Sequence, residues 1–163
     1  MNYQKLFMMQ KGLDQHIESK HQLEKEDLFD RKILALLVEL GELANETRCF
    51  KFWSLKESSP KPIILEEYVD GVHFILSLGL ECGFDQEEDY RTDLLKAESV
   101  NDQFLLIFDQ ISKFRTSRSV HDFKALVCAY LHLGELLGFS SEETEQAYID
   151  KNEVNYERQQ QGY

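Results

Sequence analysis

The sequence predicts an all-α protein, a compact bundle of five to six helices in one domain spanning residues 1–163. Three observations predict it. Apolar residues recur at three- and four-residue spacing through most of the chain, the period of a helix face. Only two prolines and eight glycines interrupt 163 residues, so long stretches are free of strong helix breakers. No segment alternates apolar and polar residues in the two-residue period of a half-buried strand.

The elements follow in order. Leu6, Met9, Leu13 and Ile17 step at helical spacing near the start. A charged link, Ser19 to Glu26, separates them from a second helix that Asp27 or Asp30 can cap and that runs to about Glu46. Residues 47–62, TRCFKFWSLKESSPKP, break the pattern with an aromatic and locally basic run. Pro60 and Pro62 then open a third helix ending near Gly83. Residues 84–98 are acidic and weakly periodic, a loop or short helix. Ser99 or Asn101 starts a helix carrying Phe104, Ile107, Phe108 and Ile111. Ser119 with Asp122 opens another, ending at Leu137 and Gly138. Ser140 with Glu143 opens the last, expected to run to about Glu157. Residues 158–163 read as a mobile tail.

Composition narrows the function. Thirty acids against 18 bases give a net charge of −12. Such a surface disfavours binding to nucleic-acid backbones and anionic membranes, although a bound metal can reverse the local field for a small anion. No apolar run of about 18 residues and no secretory leader pattern is present. Cys49, Cys82 and Cys128 form no metal-spaced motif and read as reduced thiols, so the chain is expected to be cytoplasmic. HExxH, the phosphate-cradling GxxxxGK[ST] and GxGxxG are all absent.

The chemistry concentrates in two acidic pairs inside apolar helical runs: Glu39-Leu-Gly-Glu42 and Glu67-Tyr-Val-Asp70. Residues three apart share a helix face, with about 5–6 Å between Cβ atoms. Each pair therefore aims two carboxylates one way, and four such groups brought together need a counter-charge. Mg²⁺ takes oxygen ligands and keeps waters free to meet phosphates. Glu46 and His73 extend the two stripes. The bland alternative, that the acids form solvated helix faces, is weakened by finding two such helices so close in sequence. A second alternative is an oxygen-activating di-metal bundle built on Glu-x-x-His pairs, which Asp70-Gly-Val-His73 half imitates.

Two further groups point to a nucleotide. Phe50, Phe52 and Trp53 beside Lys51 offer rings for a base and a point charge for phosphate. Core packing beneath a loop is the competing fate for those rings. Tyr148, Lys151, Asn152, Asn155 and Arg158 form one donor-rich stripe near the end, and Arg can grip phosphate through paired hydrogen bonds. A solvated face balanced by Asp150, Glu153 and Glu157 is the alternative.

Taken together, ELGELANETRCFKFWS, EEYVDGVHFILSLGLE and AYIDKNEVNYERQQQGY resemble the dimeric all-α dUTPases, within the all-α NTP pyrophosphatase (MazG-like) group. The resemblance covers nearly the whole chain. It implies a dUTP diphosphatase that cleaves dUTP to dUMP and pyrophosphate, keeping uracil out of DNA, with dUDP a further candidate substrate. It implies two or more Mg²⁺ ions, for which Mn²⁺ substitutes, held by Glu39, Glu42, Glu67 and Asp70. Glu46 becomes a further acidic residue near the metals or the attacking water. Gln10, Asp14, Trp53 and His73 would line the deoxyuridine pocket, and Lys151, Asn155 and Arg158, joined by Lys51 and Tyr163, would hold the phosphates. A homodimer with shared sites is implied, and the apolar run 72–80 permits a buried interface. Some group members carry adjacent glutamates at the start of the first motif, whereas Val38 precedes Glu39 here. A sister pyrophosphatase acting on another nucleotide is the neighbouring alternative.

Overall fold

In the computed structural model, residues 1–86 and 96–162 are described, and all their regular structure is helical. Six helices follow in order: α1 (Tyr3–His21), α2 (Phe29–Thr47), α3 (Lys61–Glu81), α4 (Val100–Ser117), α5 (Val120–Leu136) and α6 (Ser141–Gln160). The acidic stretch 84–98 falls mostly on residues 87–95, outside those described.

Helix starts follow local chemistry. Asn2, Ser99, Ser119 and Ser140 each accept a backbone N–H of the first turn, as short polar side chains do at an N-cap. Ser140 and Glu143 complete a reciprocal capping box. At Ser119 only half the box forms, because Asp122 accepts from the Ser117 and Ser119 hydroxyls rather than from the cap N–H. Neither Asp27 nor Asp30 occupies the α2 cap. Leu28 does, while Asp27 accepts the Phe29 N–H and Asp30 pairs with Arg115. Pro60 and Pro62 start α3 as expected, since fixed φ angles suit a first turn whose N–H groups have no helical partner.

Glycines in the left-handed region, Gly83 and Gly138, end α3 and α5. The Phe84 and Phe139 N–H groups that follow close back on Gly79 and Gly134 carbonyls. Helix α6 runs to Gln160, three residues past the expected end, so Arg158 belongs to the helix.

Helix α3 sits at the centre, packed by α2, α1, α6 and α5, while α4 packs on α5 and α2. This placement explains its apolar character on nearly every side. It also corrects the reading of 72–80 as interface surface. Val72, Ile75, Leu76 and Leu78 are buried within their own chain, beside Leu36, Leu40, Phe123 and Leu126 of the common core.

A clasp joins α3 to α5. Tyr68 and Tyr130 stack at 4.9 Å, each hydroxyl donating to the other's backbone carbonyl at 3.2 and 2.9 Å. Gly71 and Gly134 leave the space these hydroxyls fill. The clasp holds the turn of α3 that carries Glu67 and Asp70.

Candidate metal and nucleotide site

Helices α2 and α3 lie side by side, and their acidic stripes converge. Carboxylate oxygens of Glu39, Glu67 and Asp70 all lie within 4.8 Å of one another. Glu42, one turn after Glu39, adds its charge to both Glu39 and Glu67. Burial, with the charges of Asp70, Glu42 and Glu67 added, pushes Glu39 up to about 7. Glu67 is raised by burial and by Asp70 and Glu42. Asp70 is raised by burial against the opposing pull of Lys151. Three acids that resist ionisation, with the Glu42 charge beside them, form a site short of positive charge.

The protein supplies positive charge of its own, with Lys151 in contact and Arg158 acting on Asp70 as well. Lys151 of α6 is only 8% exposed, and its Nζ lies 2.7 Å from Asp70 and 2.8 Å from Glu66. Burial pulls its pKa down, but hydrogen bonds to Asp70 and Glu66 outweigh that and hold it above the ordinary lysine value. One ammonium beside four carboxylates leaves the cluster acidic. Its clustered hard oxygen donors fit Mg²⁺ or Mn²⁺. Among the described residues, no histidine joins the cluster. His73 lies outside that group, its Nδ1 facing Gln10 Oε1.

A cleft of about 420 Å³ opens beside the cluster. Glu39 and Asp70 line it, with Gln10 and Asp14 of α1, His73, Phe74 and Ser77 of α3, and Asn155 and Arg158 of α6. Its inner wall is a continuous hydrogen-bond chain. Ser77 donates to Asp14 at 2.6 Å, Gln10 Nε2 donates to Asp14 at 2.7 Å, and Gln10 Oε1 faces His73 Nδ1 at 2.8 Å. Tyr148 donates to the same Gln10 oxygen at 2.7 Å and stacks on the His73 ring at 4.1 Å. Burial, with the Lys151 charge added, holds His73 down at about 3, so it is neutral at pH 7. Burial raises Asp14 against the stabilising pull of Ser77, Lys32 and Gln10.

The sequence-predicted residues divide accordingly. Glu39, Glu67 and Asp70 meet, with Glu42 beside them, and Gln10, Asp14, His73, Asn155 and Arg158 line the adjoining cleft. Lys151 reaches the acids themselves. Glu46 lies one turn beyond Glu42 and is bonded to the Ser59 hydroxyl, pinning the link between α2 and α3. Trp53 and Lys51 sit on that link, outside the cleft of their own chain. Trp53 is 64% exposed, edge-on to Phe50 and Phe52, and Lys51 lies over Phe50. The core-plug reading of these rings fails, because Phe50, Phe52 and Trp53 are all exposed. Tyr163 lies outside the described residues.

Sequence reasoning passed over Glu66, Ser77, Lys32 and Phe74. The signal existed. Ser77 continues the Asp70, His73 and Phe74 face by one turn, and Lys32 precedes Glu39 by seven residues on its face of α2. Lys32 pairs with Glu81 at 2.6 Å and lies 3.8 Å from Asp14, tying α1, α2 and α3 at the cleft's far end.

Comparison with known proteins adds one finding. A family model described as dUTPase matches residues 2–163. No curated protein matches the chain.

Proposed function

The chain belongs to the dUTPase family and is a dUTP diphosphatase, and from that premise we propose that its acidic cluster and cleft carry a Mg²⁺-dependent cleavage of dUTP to dUMP and pyrophosphate. The observation that carries this reading is the convergence of Glu39, Glu67 and Asp70 beside a cleft that Asn155 and Arg158 also line. dUDP is a further substrate of the same chemistry, and removal of dUTP keeps uracil out of DNA.

Glu39, Glu42, Glu67 and Asp70 would hold two or more Mg²⁺ ions, with Mn²⁺ able to replace them. Bound there, the metal neutralises phosphate charge and acidifies a water for attack. The chain's own residues do the rest. Arg158 and Asn155 orient the phosphates, and Lys151 steadies the departing pyrophosphate electrostatically. Glu46 orients the attacking water or takes its proton. Gln10, Asp14 and His73 hold the base within the buried inner wall. For Trp53 and Lys51 to join them, the 48–60 link must close over the cleft or a second copy must supply it. A homodimer belongs to this reading, supported by the exposed Phe52, Trp53 and Leu55, which form an apolar patch of the kind that marks interaction sites. A cytoplasmic setting also belongs to it, supported by three free thiols. No helix among the described residues is long and apolar enough to cross a membrane.

Pyrophosphate release from dUTP, dTTP, dCTP and UTP, each with and without Mg²⁺, tests the proposal. dUTP with Mg²⁺ is expected to be turned over far faster than the others. Preference for a different nucleotide would move the chain to a sister pyrophosphatase activity.

The pH dependence has a definite sign. Glu39 titrates near 7 when folded and near its ordinary 4.5 when unfolded. Between those values the folded chain binds more protons than the unfolded chain, so stability falls as pH rises. The Glu39 contribution to metal-free stability is therefore full below about 4.5 and lost as pH passes about 7. Metal requires the ionised form, so its stabilisation grows over the same window. Melting curves in chelator should show Tm falling from pH 5 to pH 8, with added Mg²⁺ raising Tm more at pH 8 than at pH 5. An equal Mg²⁺ shift at both would contradict this.

A further inference from the structure

Gln10 has two chemically different ends, and Asp14 decides which way they face. The Asp14 carboxylate already accepts from Ser77 Oγ at 2.6 Å, with Lys32 Nζ 3.8 Å away. An ionised carboxylate only accepts, so the Gln10 atom 2.7 Å from it must be the amide NH₂. The Gln10 carbonyl oxygen is thereby turned toward Tyr148 and His73. Facing that oxygen at 2.8 Å, the nitrogen His73 Nδ1 must carry a hydrogen. In the neutral ring the other nitrogen, Nε2, is then a bare acceptor. His73 is 5% exposed and lines the cleft, and its Nε2 is buried with no partner in the chain. A buried acceptor left unpaired is costly, and a ligand that brings a donor removes that cost.

We propose that Asp14, braced by Ser77 and Lys32, is a positioning residue that fixes the Gln10 amide and, through it, the Nδ1–H tautomer of His73, so that the cleft offers an acceptor to a base carrying a ring N–H. Uracil has such a donor at N3. Cytosine has a lone pair at N3, which would face the Nε2 lone pair. The relay therefore selects uracil over cytosine. Thymine shares the N3–H, so discrimination against its methyl group lies elsewhere. This inference rests on the cleft being the base site of the dUTP reaction.

Histidine-selective ¹⁵N NMR on the unliganded protein reads the tautomer directly, and kcat/KM for dUTP against dCTP reads its consequence. Wild-type His73 is expected as the Nδ1–H tautomer. Asp14→Ala frees the Gln10 amide, so the ring should become a mixture of tautomers and the dUTP/dCTP ratio should fall by about tenfold or more. Asp14→Asn, which keeps an oxygen acceptor, should restore the tautomer. Ser77→Ala should shift it in the same direction as Asp14→Ala, by less, and serves if Asp14→Ala does not fold. The proposal is overturned if wild-type His73 carries its proton on Nε2. It is equally overturned if Asp14→Ala folds and leaves both tautomer and ratio unchanged. Failure of the dUTP reading shows separately, as no dUTP turnover by the wild type, and leaves the tautomer measurement unaffected.

Discussion

Asp70→Asn is expected to reduce dUTP turnover by at least about 100-fold and to weaken Mg²⁺ binding, with the fold retained. Replacing even a group that orients a metal ligand typically costs 10–100-fold in affinity or activity, and Asp70 meets the cluster directly. Asp70 is also the closest acidic partner of Lys151, at 2.7 Å. An amide there keeps the size and removes the charge, so Lys151 would remain on Glu66. In metal-free protein the variant should be no less stable than the wild type, because burial, with the Glu66 charge added, already disfavours the Asp70 carboxylate. The paired measurement is steady-state pyrophosphate release and a melting curve in chelator. Loss of activity with equal loss of fold would reassign Asp70 to architecture.

Gly71→Ala is the second large effect, and its sign is opposite: the fold suffers first. A Cβ at Gly71 would lie 2.0 Å from the Tyr130 hydroxyl oxygen and 2.7 Å from its ring carbon, so Tyr130 must leave its place. Moving it breaks the bond to the Tyr68 carbonyl and the ring stack, both in the buried core. Overpacking of this kind costs about 1–3 kcal/mol, and an orphaned buried polar group adds a further 1–3 kcal/mol or so. Gly134→Ala meets the Tyr68 hydroxyl at 2.6 Å and should act alike. Gly41→Ala is the contrast, since nothing lies within 4 Å of its Cβ. It should be neutral or stabilising by up to about 1 kcal/mol through helix propensity. Urea or thermal unfolding of the three variants measures this. A Gly71→Ala protein as stable as the wild type would mean the clasp does not hold α3.

The two largest predictions differ in how far the sequence alone could reach them. That Glu39 and Glu42, or Glu67 and Asp70, share a face follows from three-residue spacing on any helix. That the two faces meet does not follow from spacing, because it depends on how α2 crosses α3. The need for Gly71 was invisible for the same reason: the residue that requires it, Tyr130, stands 59 positions away in the sequence. Hydrophobicity alone misled at residues 72–80, where a helix buried on all sides by its own chain carries the same pattern as one with a spare face for a partner. Capping chemistry was legible at Ser119 and Ser140, each followed three residues on by an acid, whereas Ser99 and Asn101 were both open as the start of α4. At α2 two aspartates competed, and the helix starts between them. In the cleft, Asp14 and Gln10 had been placed by resemblance, but their relation to Ser77 and His73 spans α1 and α3 and arises only from packing.

The most direct test of the account is calorimetric titration of Mn²⁺ into the metal-stripped protein, carried out on the wild type and on Glu39→Gln, Glu67→Gln and Asp70→Asn. The account predicts saturable binding to the wild type and a clear loss of affinity in each of the three variants, because all three carboxylates face one point. Undiminished binding in all three, or no binding to the wild type at all, would contradict it.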